Sequence, residues 1–365
     1  MKNIAVFFGG QSVEHDISVI TGVMAVNTLD KEKYNAIPVY VDKAGGWYTG
    51  ESLVDPDNYK NLNYKKLKKV AILGGDKRLF EIKGKRLKPI CSIAACINCM
   101  HGERGEDGSL SGLLNMCNIP LASPSIAPSA VCMDKGLTKT LLKGLKIKTL
   151  SGICVSDIEQ LTENSSGIEY PVIVKPNSLG SSIGINRADN EKELLSAVNY
   201  ALKVGDCALI EPCLENFIEI NCAAYLNSDG KITVSECERP VGRSEILTFN
   251  DKYRGGKRVF PADIDKKISD KIKGITEKIY RELSFSGVIR IDYFLTGGQI
   301  FVNEINTVPG SLAYYLFSDT LKGFKNMLNE LITVAEKNFA KSSTVQKTYN
   351  SGILLSAGAK GAKRL

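Results

Sequence analysis

Strand and helix signals alternate through the first third of the chain. The apolar run IAVFFGG predicts a buried strand ending in a glycine loop, and a helix follows near Ser18–Leu29. Apolar segments at Ala36–Val41 and Ile90–Met100 predict two more strands. This alternation indicates an α/β domain, Rossmann-like, with a parallel sheet and helices on both faces. Ligands of such sheets lie at the carboxyl ends of the strands, where Gly9–Ser12 and His101–Ser109 fall.

The remaining pattern is mixed and predicts two further units. A boundary is expected near SPSIAPS, and a helix at Asp134–Lys143 opens the second part. The strand YPVIVKP, the loop NSLGSSIG and a helix at Glu191–Lys203 follow. The last part has a helix near Asp265–Leu283, a polar hairpin and an amphipathic C-terminal helix. The apolar face of that last helix comprises Phe324, Met327, Leu328, Leu331, Ile332 and Ala335.

The hairpin, GVIRIDYFLTGGQIFVNEINTVPG, carries four polar residues on two strands. Side chains alternate between the faces of a strand, so Arg290 and Asp292 share one face, as do Glu304 and Asn306. Both pairs point into one site if Asp292 lies opposite Glu304 and Arg290 opposite Asn306. That register centres the turn on Gly298 and predicts a three-residue loop.

The residue types of the hairpin indicate phosphate chemistry. Asp292, Glu304 and Asn306 supply the hard oxygen ligands that Mg²⁺ prefers when substrate phosphates also hold it. Arg290 adds a positive charge of the kind that phosphoryl transfer requires. The alternative is an edge hairpin whose polar residues are simply solvated.

A second glycine-rich segment follows a predicted strand. Lys175 ends the strand, and the loop after it contains Gly180, Ser181, Ser182 and Gly184. Glycines let backbone N–H groups approach phosphates, and the lysine adds a point charge. No G-K-[ST] follows, so the loop is not a Walker motif, and taken alone it favours an ordinary hairpin loop over a phosphate site.

Other lysines and one apolar strand end strengthen the interpretation. Lys135 opens a helix in CMDKGLTK, and Lys252 lies in the glycine-containing segment TFNDKYRGGK. Glu211 and Leu214 lie in LIEPCL, a strand end suited to an adenine edge. Single lysines are surface residues by default, but this combination points to an ATP site.

Length and charge limit the remaining possibilities. The 365 residues suffice for two or three domains, and no apolar run approaches the roughly 20 residues of a membrane span. The absence of a targeting signal predicts a cytoplasmic protein. The net charge is +7, of which the last 25 residues carry +5 and the other 340 carry +2. A nearly neutral body gives no case for a nucleic-acid partner, and residues 342–365 are expected to form a solvated basic tail.

The cysteines invite one further hypothesis. Cys91, Cys96 and Cys99 have the C-x4-C-x2-C spacing of an iron–sulfur site, with Cys117 as a fourth candidate. CSIAACINCM is, however, an apolar strand-like run on which the three do not share a face. We therefore interpret the cysteines as small buried apolar residues of a reducing compartment.

With these residues in hand, the chain resembles the D-alanine–D-alanine ligases of the ATP-grasp superfamily. The motifs, in the family's order, are FFGGQSVEHDIS, MHGERGEDGSLSG, CMDK, YPVIVKPNSLGSSIG, IRID and NEINTVPG. The resemblance extends to about Asn338. It implies an α/β and α+β three-domain ATP-grasp fold. The expected domains are residues 1–124 (N-terminal, substrate-binding), 125–214 (central) and 215–341 (C-terminal, with the metal hairpin).

The resemblance also implies a role for each residue. ATP phosphates would be held by Lys135, Lys175 and Lys252 with the Gly180–Ser182 loop, adenine by Glu211 and Leu214, and ribose by Glu219. Asp292, Glu304 and Asn306 would hold two Mg²⁺ or Mn²⁺ ions. The ammonium of the first D-alanine would bind Glu14, which Ser181 and Tyr253 would contact, and His101 would line that pocket. Arg290 and the Gly310 N–H would stabilise the tetrahedral oxyanion.

Local alternatives remain for four of these residues. Ser181 has an alternative role as a loop hydroxyl, and Tyr253 has one in packing, although its place beside Lys252 in a polar glycine-rich loop favours a functional role. Glu14 has an alternative role as the cap of the helix that follows it. His101 is more simply a positioning residue that does not titrate than an acid–base catalyst.

The region after NEINTVPG departs from the family. The family usually continues with a Met-Thr-rich stretch containing a serine for the second substrate's carboxylate, but here Tyr314 and Tyr315 occupy that neighbourhood. Despite this departure, the resemblance implies a ligase that makes D-alanyl-D-alanine, a peptidoglycan precursor. It also implies ATP and D-alanine as small-molecule substrates and a homodimeric state. A sister ligase using D-serine, D-lactate or another second substrate stays open, as does a non-catalytic ATP-binding regulatory protein.

Overall fold

Seven strands form the first sheet of the computed structural model, which describes residues 1–164, 167–181, 183–241 and 257–351. The sheet has the order β6-β5-β4-β3-β2-β1-β7. Its strands are β1 (Lys2–Gly9), β2 (Tyr34–Val41), β3 (Trp47–Thr49), β4 (Lys68–Ile72), β5 (Arg78–Lys83), β6 (Arg86–Ser92) and β7 (Ala95–Asn98). Short 3₁₀ turns at Glu51–Val54, Pro56–Asn61 and Tyr64–Lys66 separate β3 from β4.

The sheet is parallel around β1, as expected of a Rossmann-like domain, and antiparallel beyond β2. β1 pairs in parallel with β2 and β7, whereas the pairs from β2 through β6 are antiparallel. The turn between β2 and β3, closed by hydrogen bonds between Asp42 and Gly46, is too short for a parallel crossover. The single strand predicted at Ile90–Met100 is wrong, because β6 ends at Ser92 and β7 begins at Ala95.

Eight α-helices are present in the described ranges. They include the predicted helices, shifted by at most three residues at an end. They are α1 (His15–Thr28), α2 (Ser109–Met116), α3 (Ile126–Met133), α4 (Lys135–Gly144), α5 (Ile158–Asn164), α6 (Glu191–Val204), α7 (Lys266–Glu282) and α8 (Leu321–Ser343). No helix among the described residues is both long enough and apolar enough to cross a bilayer.

Two four-stranded sheets form the rest of the framework. The second sheet has the order β10-β9-β11-β8, and the third has the order β13-β12-β16-β17. Their strands are β8 (Ile153–Val155), β9 (Val172–Pro176), β10 (Asn186–Ala188), β11 (Ala208–Pro212), β12 (Ile218–Leu226), β13 (Ile232–Val234), β16 (Val288–Thr296) and β17 (Gln299–Asn306). A separate pair joins β14 (Arg239–Val241) to β15 (Lys257–Val259).

The apolar cores do not follow the chain order. Leu142 of α4 packs with Ile220 and Ile291 in the core of the third sheet, although the sequence groups α4 with the central domain. Phe324 and Leu328 of α8 share a core with Val23 of α1. Helix α4 therefore packs on the third sheet, and α8 near the end of the chain packs with α1 near its start. The predicted domain limits stay predictions.

The cysteines lie on both sides of the first sheet. Cys99 packs in the core beneath α1 and α8, whereas Cys96 and Cys117 pack in the core on the opposite face. All three are buried. Their separation agrees with their interpretation as small apolar residues.

The hairpin of β16 and β17 has the predicted register at its polar end but not at its turn. Arg290 pairs with Asn306 and Asp292 with Glu304. A bulge then shifts the register, so that Thr296 pairs with Gln299 and the turn has two residues rather than three. Gly297 and Gly298 both have positive φ, 53° and 70°, which a turn of this kind requires. The pattern alone did not reveal the bulge.

Tyr280 on α7 links two strands of the third sheet through its hydroxyl. The hydroxyl donates to the Gly287 carbonyl at 2.7 Å and accepts from the Leu226 N–H at 2.9 Å. The side chain is 2% exposed. Removing the hydroxyl leaves two buried backbone groups without this partner.

We expect Tyr280→Phe to lower the free energy of unfolding by about 1–3 kcal/mol, because unsatisfied buried polar groups cost about that much. Tyr200→Phe is the matched control, since Tyr200 is 49% exposed. Thermal unfolding of both variants checks the prediction. Equal midpoints for the two variants would show that the Tyr280 hydroxyl contributes nothing.

Candidate functional site

A cavity of about 400 Å³ lies between the second and third sheets. Strands β9 and β11 form one wall, and β16 and β17 contribute the opposite one. Its lining combines apolar side chains such as Ile173 and Phe294 with charged groups. Seven predicted site residues line it: Lys135, Lys175, Gly180, Glu211, Leu214, Glu219 and Glu304. The structure thus brings together residues that lie far apart in the sequence.

Two lysines bind one carboxylate in the wall of this cavity. Lys175 Nζ lies 2.6 Å from Glu211 Oε2, and Lys139 Nζ contacts Glu211 Oε1. Glu211 is 2% exposed. Burial opposes ionisation of Glu211, but Lys175 and Lys139 outweigh burial and hold its pKa below the ordinary value. The Glu211 carboxylate therefore orients Lys175, a contact that the adenine assignment from the sequence did not foresee.

Lys139 and Asn303 were missed by the sequence reasoning. Lys139 lies one helical turn after Lys135 on α4, an i, i+4 spacing that places both on one side of the helix. That spacing was the available signal. Asn303 accepts from Lys175 Nζ at 3.2 Å, and it lies at the bulge, so no alternation pattern would have placed it.

Lys135 begins α4 directly after the capping residue Asp134. Its ammonium donates to the Leu179 carbonyl at 2.7 Å and lies 3.6 Å from Glu304 Oε2. Burial lowers the pKa of Lys135, while Glu304 opposes that effect. The lysine therefore links α4, the Gly180 loop and the hairpin.

The hairpin presents its polar residues as one hydrogen-bonded group. Arg290 Nε and Nη2 donate to the two oxygens of Asp292 at 2.7 and 2.8 Å. Asn306 Nδ2 donates to Asp292 Oδ2 at 3.1 Å. Asp292 is fully buried, so its charge requires this bidentate partner.

These donors fit Mg²⁺ in chemistry. Carboxylate and amide oxygens of Asp292, Glu304 and Asn306 lie on paired positions of neighbouring strands. Within the described part of the chain, no three His, Cys, Asp or Glu side chains cluster in a way that could hold a metal.

Glu14 occupies the N-cap position of α1, yet its side chain makes no capping hydrogen bond. Its carboxylate instead accepts a hydrogen bond from Ser181 Oγ. A Cβ atom at Gly180 would lie 3.0 Å from Glu14 Oε2, and one at Gly102 would lie 3.1 Å from it. The two glycines leave room for the Glu14 carboxylate between the first sheet and the cavity. The capping alternative therefore explains where Glu14 lies in the chain but not what its carboxylate contacts.

His101 is buried beside the segment that follows β17. Its Nε2 lies 3.0 Å from Thr21 Oγ1, and its ring also hydrogen-bonds the Val308 backbone. Burial lowers the pKa of His101 to about 4, so the ring is neutral near pH 7. This agrees with a positioning residue that does not titrate.

The two tyrosines after Gly310 point in different directions. Tyr314 stacks on Phe324 with ring centroids 4.6 Å apart, and both tyrosines pack against the core that α1 and α8 share. Tyr315 hydrogen-bonds Arg290, and its ring centroid lies 5.1 Å from the guanidinium of Arg258. Burial raises the pKa of Tyr315. Tyr315 therefore lies beside Arg290, and the substrate roles of both tyrosines stay predictions.

Gly310 starts a 3₁₀ turn, Gly310–Leu316, with a left-handed backbone. Ser311, Leu312 and Ala313 have φ values of 53°, 49° and 49°. Such a conformation costs about 1–2 kcal/mol per non-glycine residue.

Three predicted site residues, Ser182, Lys252 and Tyr253, lie outside the described residues, as does the tail beyond 351.

Comparison with known proteins identifies the family. The profile described as D-ala D-ala ligase N-terminus matches residues 3–124, and the D-ala D-ala ligase C-terminus profile matches residues 144–333. The chain belongs to the D-alanine–D-alanine ligase family. The D-alanine–D-alanine ligase of Thermosipho melanesiensis is 35% identical over 361 residues, covering 96% of this chain and 98% of that protein.

Solved structures agree with the family assignment. The D-alanine–D-alanine ligase from Coxiella burnetii superimposes with a TM-score of 0.79 at 27% identity, covering 94% of this chain and 96% of that one. The VanG D-Ala:D-Ser ligase from Enterococcus faecalis gives 0.78 at 27% identity, covering 92% and 99%. The fold is therefore the three-part ATP-grasp arrangement of this ligase family.

We expect protonation of His101 to destabilise this ligase-family fold in acid. Its folded pKa of about 4 lies below the ordinary 6.5, so the unfolded chain binds more protons between these values. The free energy of unfolding should fall by up to about 3 kcal/mol as pH drops through this window. Thermal unfolding from pH 7 to pH 4 measures the effect. His101→Gln should show a smaller pH dependence, and an unchanged one would refute the assignment.

Proposed function

We propose that the protein is an ATP-dependent ligase that joins two D-alanines for peptidoglycan precursor synthesis, releasing ADP and phosphate. One observation carries the proposal. Gly180 lines the nucleotide-sized cavity and also abuts the Glu14 carboxylate, which accepts from Ser181. A site for an amino acid's ammonium and a site for ATP phosphates would therefore share one loop.

The first step needs activation of a carboxylate, which is a poor electrophile by itself. The γ-phosphate of ATP would pass to the first D-alanine and give an acyl phosphate. Lys135 and Lys175 would hold phosphate oxygens, while Glu14 would hold the ammonium group of the amino acid. Ions of Mg²⁺ held by Asp292, Glu304 and Asn306 would supply charge neutralisation when bound.

The second step is attack by a neutral amine on the acyl carbon. The negative charge that forms on the former carbonyl oxygen would be stabilised by Arg290 and the Gly310 N–H, each worth roughly 3–4 kcal/mol in comparable sites. Phosphate then leaves as the peptide bond closes. Water must be kept away from the acyl phosphate. The glycine-containing segment TFNDKYRGGKR, most of which lies outside the described residues, is the natural candidate for a lid because Gly255 and Gly256 would let it close.

The identity of the second substrate is the main alternative. Tyr315 lies against Arg290 and Arg258, where the family usually has a serine nearby. The E. faecalis relative of similar overall shape is a D-Ala:D-Ser ligase. A non-catalytic nucleotide-binding role is disfavoured, because Lys135, Lys175, Arg290 and the hairpin ligands are all retained. A homodimer in the cytoplasm remains the expectation from the family.

Pure protein with ATP, Mg²⁺ and D-alanine should release phosphate and form dipeptide in equal amounts. Phosphate release and mass spectrometry of the product measure both. Competition between D-alanine, D-serine and D-lactate then ranks second substrates. D-alanine-dependent phosphate release without dipeptide would mean a different second substrate, whereas no release and no dipeptide would refute the ligase.

Gly180→Ala tests the shared loop. The new methyl group would lie 3.0 and 3.1 Å from the two Glu14 carboxylate oxygens, so we expect the KM for the first D-alanine to rise about tenfold or more. Gly274→Ala is the matched control, since Gly274 lies within α7 and nothing is within 4 Å of its added Cβ. Initial-rate kinetics of both variants measure the KM for the first D-alanine. Equal KM values for Gly180→Ala and Gly274→Ala would contradict the placement of Glu14 in the D-alanine site.

A further inference from the structure

The segment that carries Gly310 is held in its strained form by side chains from the first third of the chain. Thr21 Oγ1 accepts from the Ser311 N–H at 3.0 Å. The same oxygen lies 3.0 Å from His101 Nε2. Since a single hydroxyl can accept from Ser311 and donate to His101, the neutral imidazole fixes the direction of this short chain of hydrogen bonds.

Glu106 binds the same segment at two consecutive residues. Its Oε1 accepts from the Val308 N–H at 3.0 Å, and its backbone carbonyl accepts from Thr307 Oγ1 at 3.1 Å. The other carboxylate oxygen accepts from the Gly102 N–H at 2.8 Å. One side chain therefore joins the loop after β7 to the loop after β17.

We infer that Glu106 is a positioning residue for the acyl-transfer step, which it serves by fixing Thr307 and Val308 and thereby the Gly310 N–H. The inference rests on the proposed ligase function. Val308 precedes Gly310 by two residues, and the left-handed turn begins immediately after Gly310. A strained backbone persists only where its surroundings over-determine it, and Glu106 and Thr21 bracket this one.

The two chemical steps should depend on Glu106 to different degrees. Phosphoryl transfer to the first D-alanine creates no tetrahedral carbon, so it makes no demand on the Gly310 N–H. Attack by the second amine creates the oxyanion, and a donor displaced by about 1 Å can cost on the order of a hundredfold in rate. Loss of Glu106 should therefore slow the second step selectively.

Glu106→Gln keeps one acceptor oxygen and turns an amide N–H₂ toward one of the two backbone donors. Glu106→Ala removes both acceptors. We expect kcat for dipeptide formation to fall about 10- to 100-fold in the first variant and further in the second. Positional isotope exchange in oxygen-labelled ATP with D-alanine, which reports reversible acyl-phosphate formation, should stay close to wild type, as should the KM for ATP.

Two further variants keep the test decisive. Glu103→Gln is the matched control on the same loop, since its side chain is 64% exposed, and both readouts should be unchanged. Thr21→Val removes the acceptor for the Ser311 N–H and should reproduce the selective loss if a Glu106 variant does not fold. Equal decline of exchange and dipeptide formation, or no decline, overturns the inference. Wild-type protein inactive in both assays would instead refute the proposed function.

Discussion

Buried negative charge has to be paired, and this requirement organises the site. Asp292 is fully buried and Glu211 nearly so, and each lies against cationic partners, Arg290 for the first and Lys175 with Lys139 for the second. Without such partners, desolvation would cost several kcal/mol per charge. The pairing also orients the cations. Of these cations, Lys175 also lines the cavity between the second and third sheets.

Polar side chains also connect elements of the three sheets. Ser181 on the central loop contacts Glu14 at the start of α1, and Lys135 of α4 reaches both that loop and Glu304 of the hairpin. A ligase must hold two substrates and a nucleotide in one geometry, since proximity supplies much of the rate. These contacts show how elements from separate parts of the chain set that geometry.

Three consecutive residues with positive φ, Ser311, Leu312 and Ala313, form a strained turn in this arrangement. The left-handed turn after Gly310 lies under α1 and α8, with Leu312 and Ala313 buried in the core that these helices share. Burial of those apolar side chains offsets the backbone cost. The core contacts and the hydrogen bonds from the side chains of Glu106 and Thr21 together keep the backbone around Gly310 in place.

The sequence by itself determined the elements whose patterns are local. Alternation along the hairpin strands predicted the cross-strand pairing of Asp292 with Glu304, and the glycine-rich motifs identified the loop that abuts Glu14. Tertiary structure decided what depends on contacts distant in sequence. It inserted the bulge that shortened the turn, placed Lys139 on Glu211, and brought Glu106 to Val308 across 202 residues. Only Lys139 had a signal in the sequence, its i, i+4 spacing from Lys135. The other features lie beyond pattern reasoning, because burial and long-range hydrogen bonds select them.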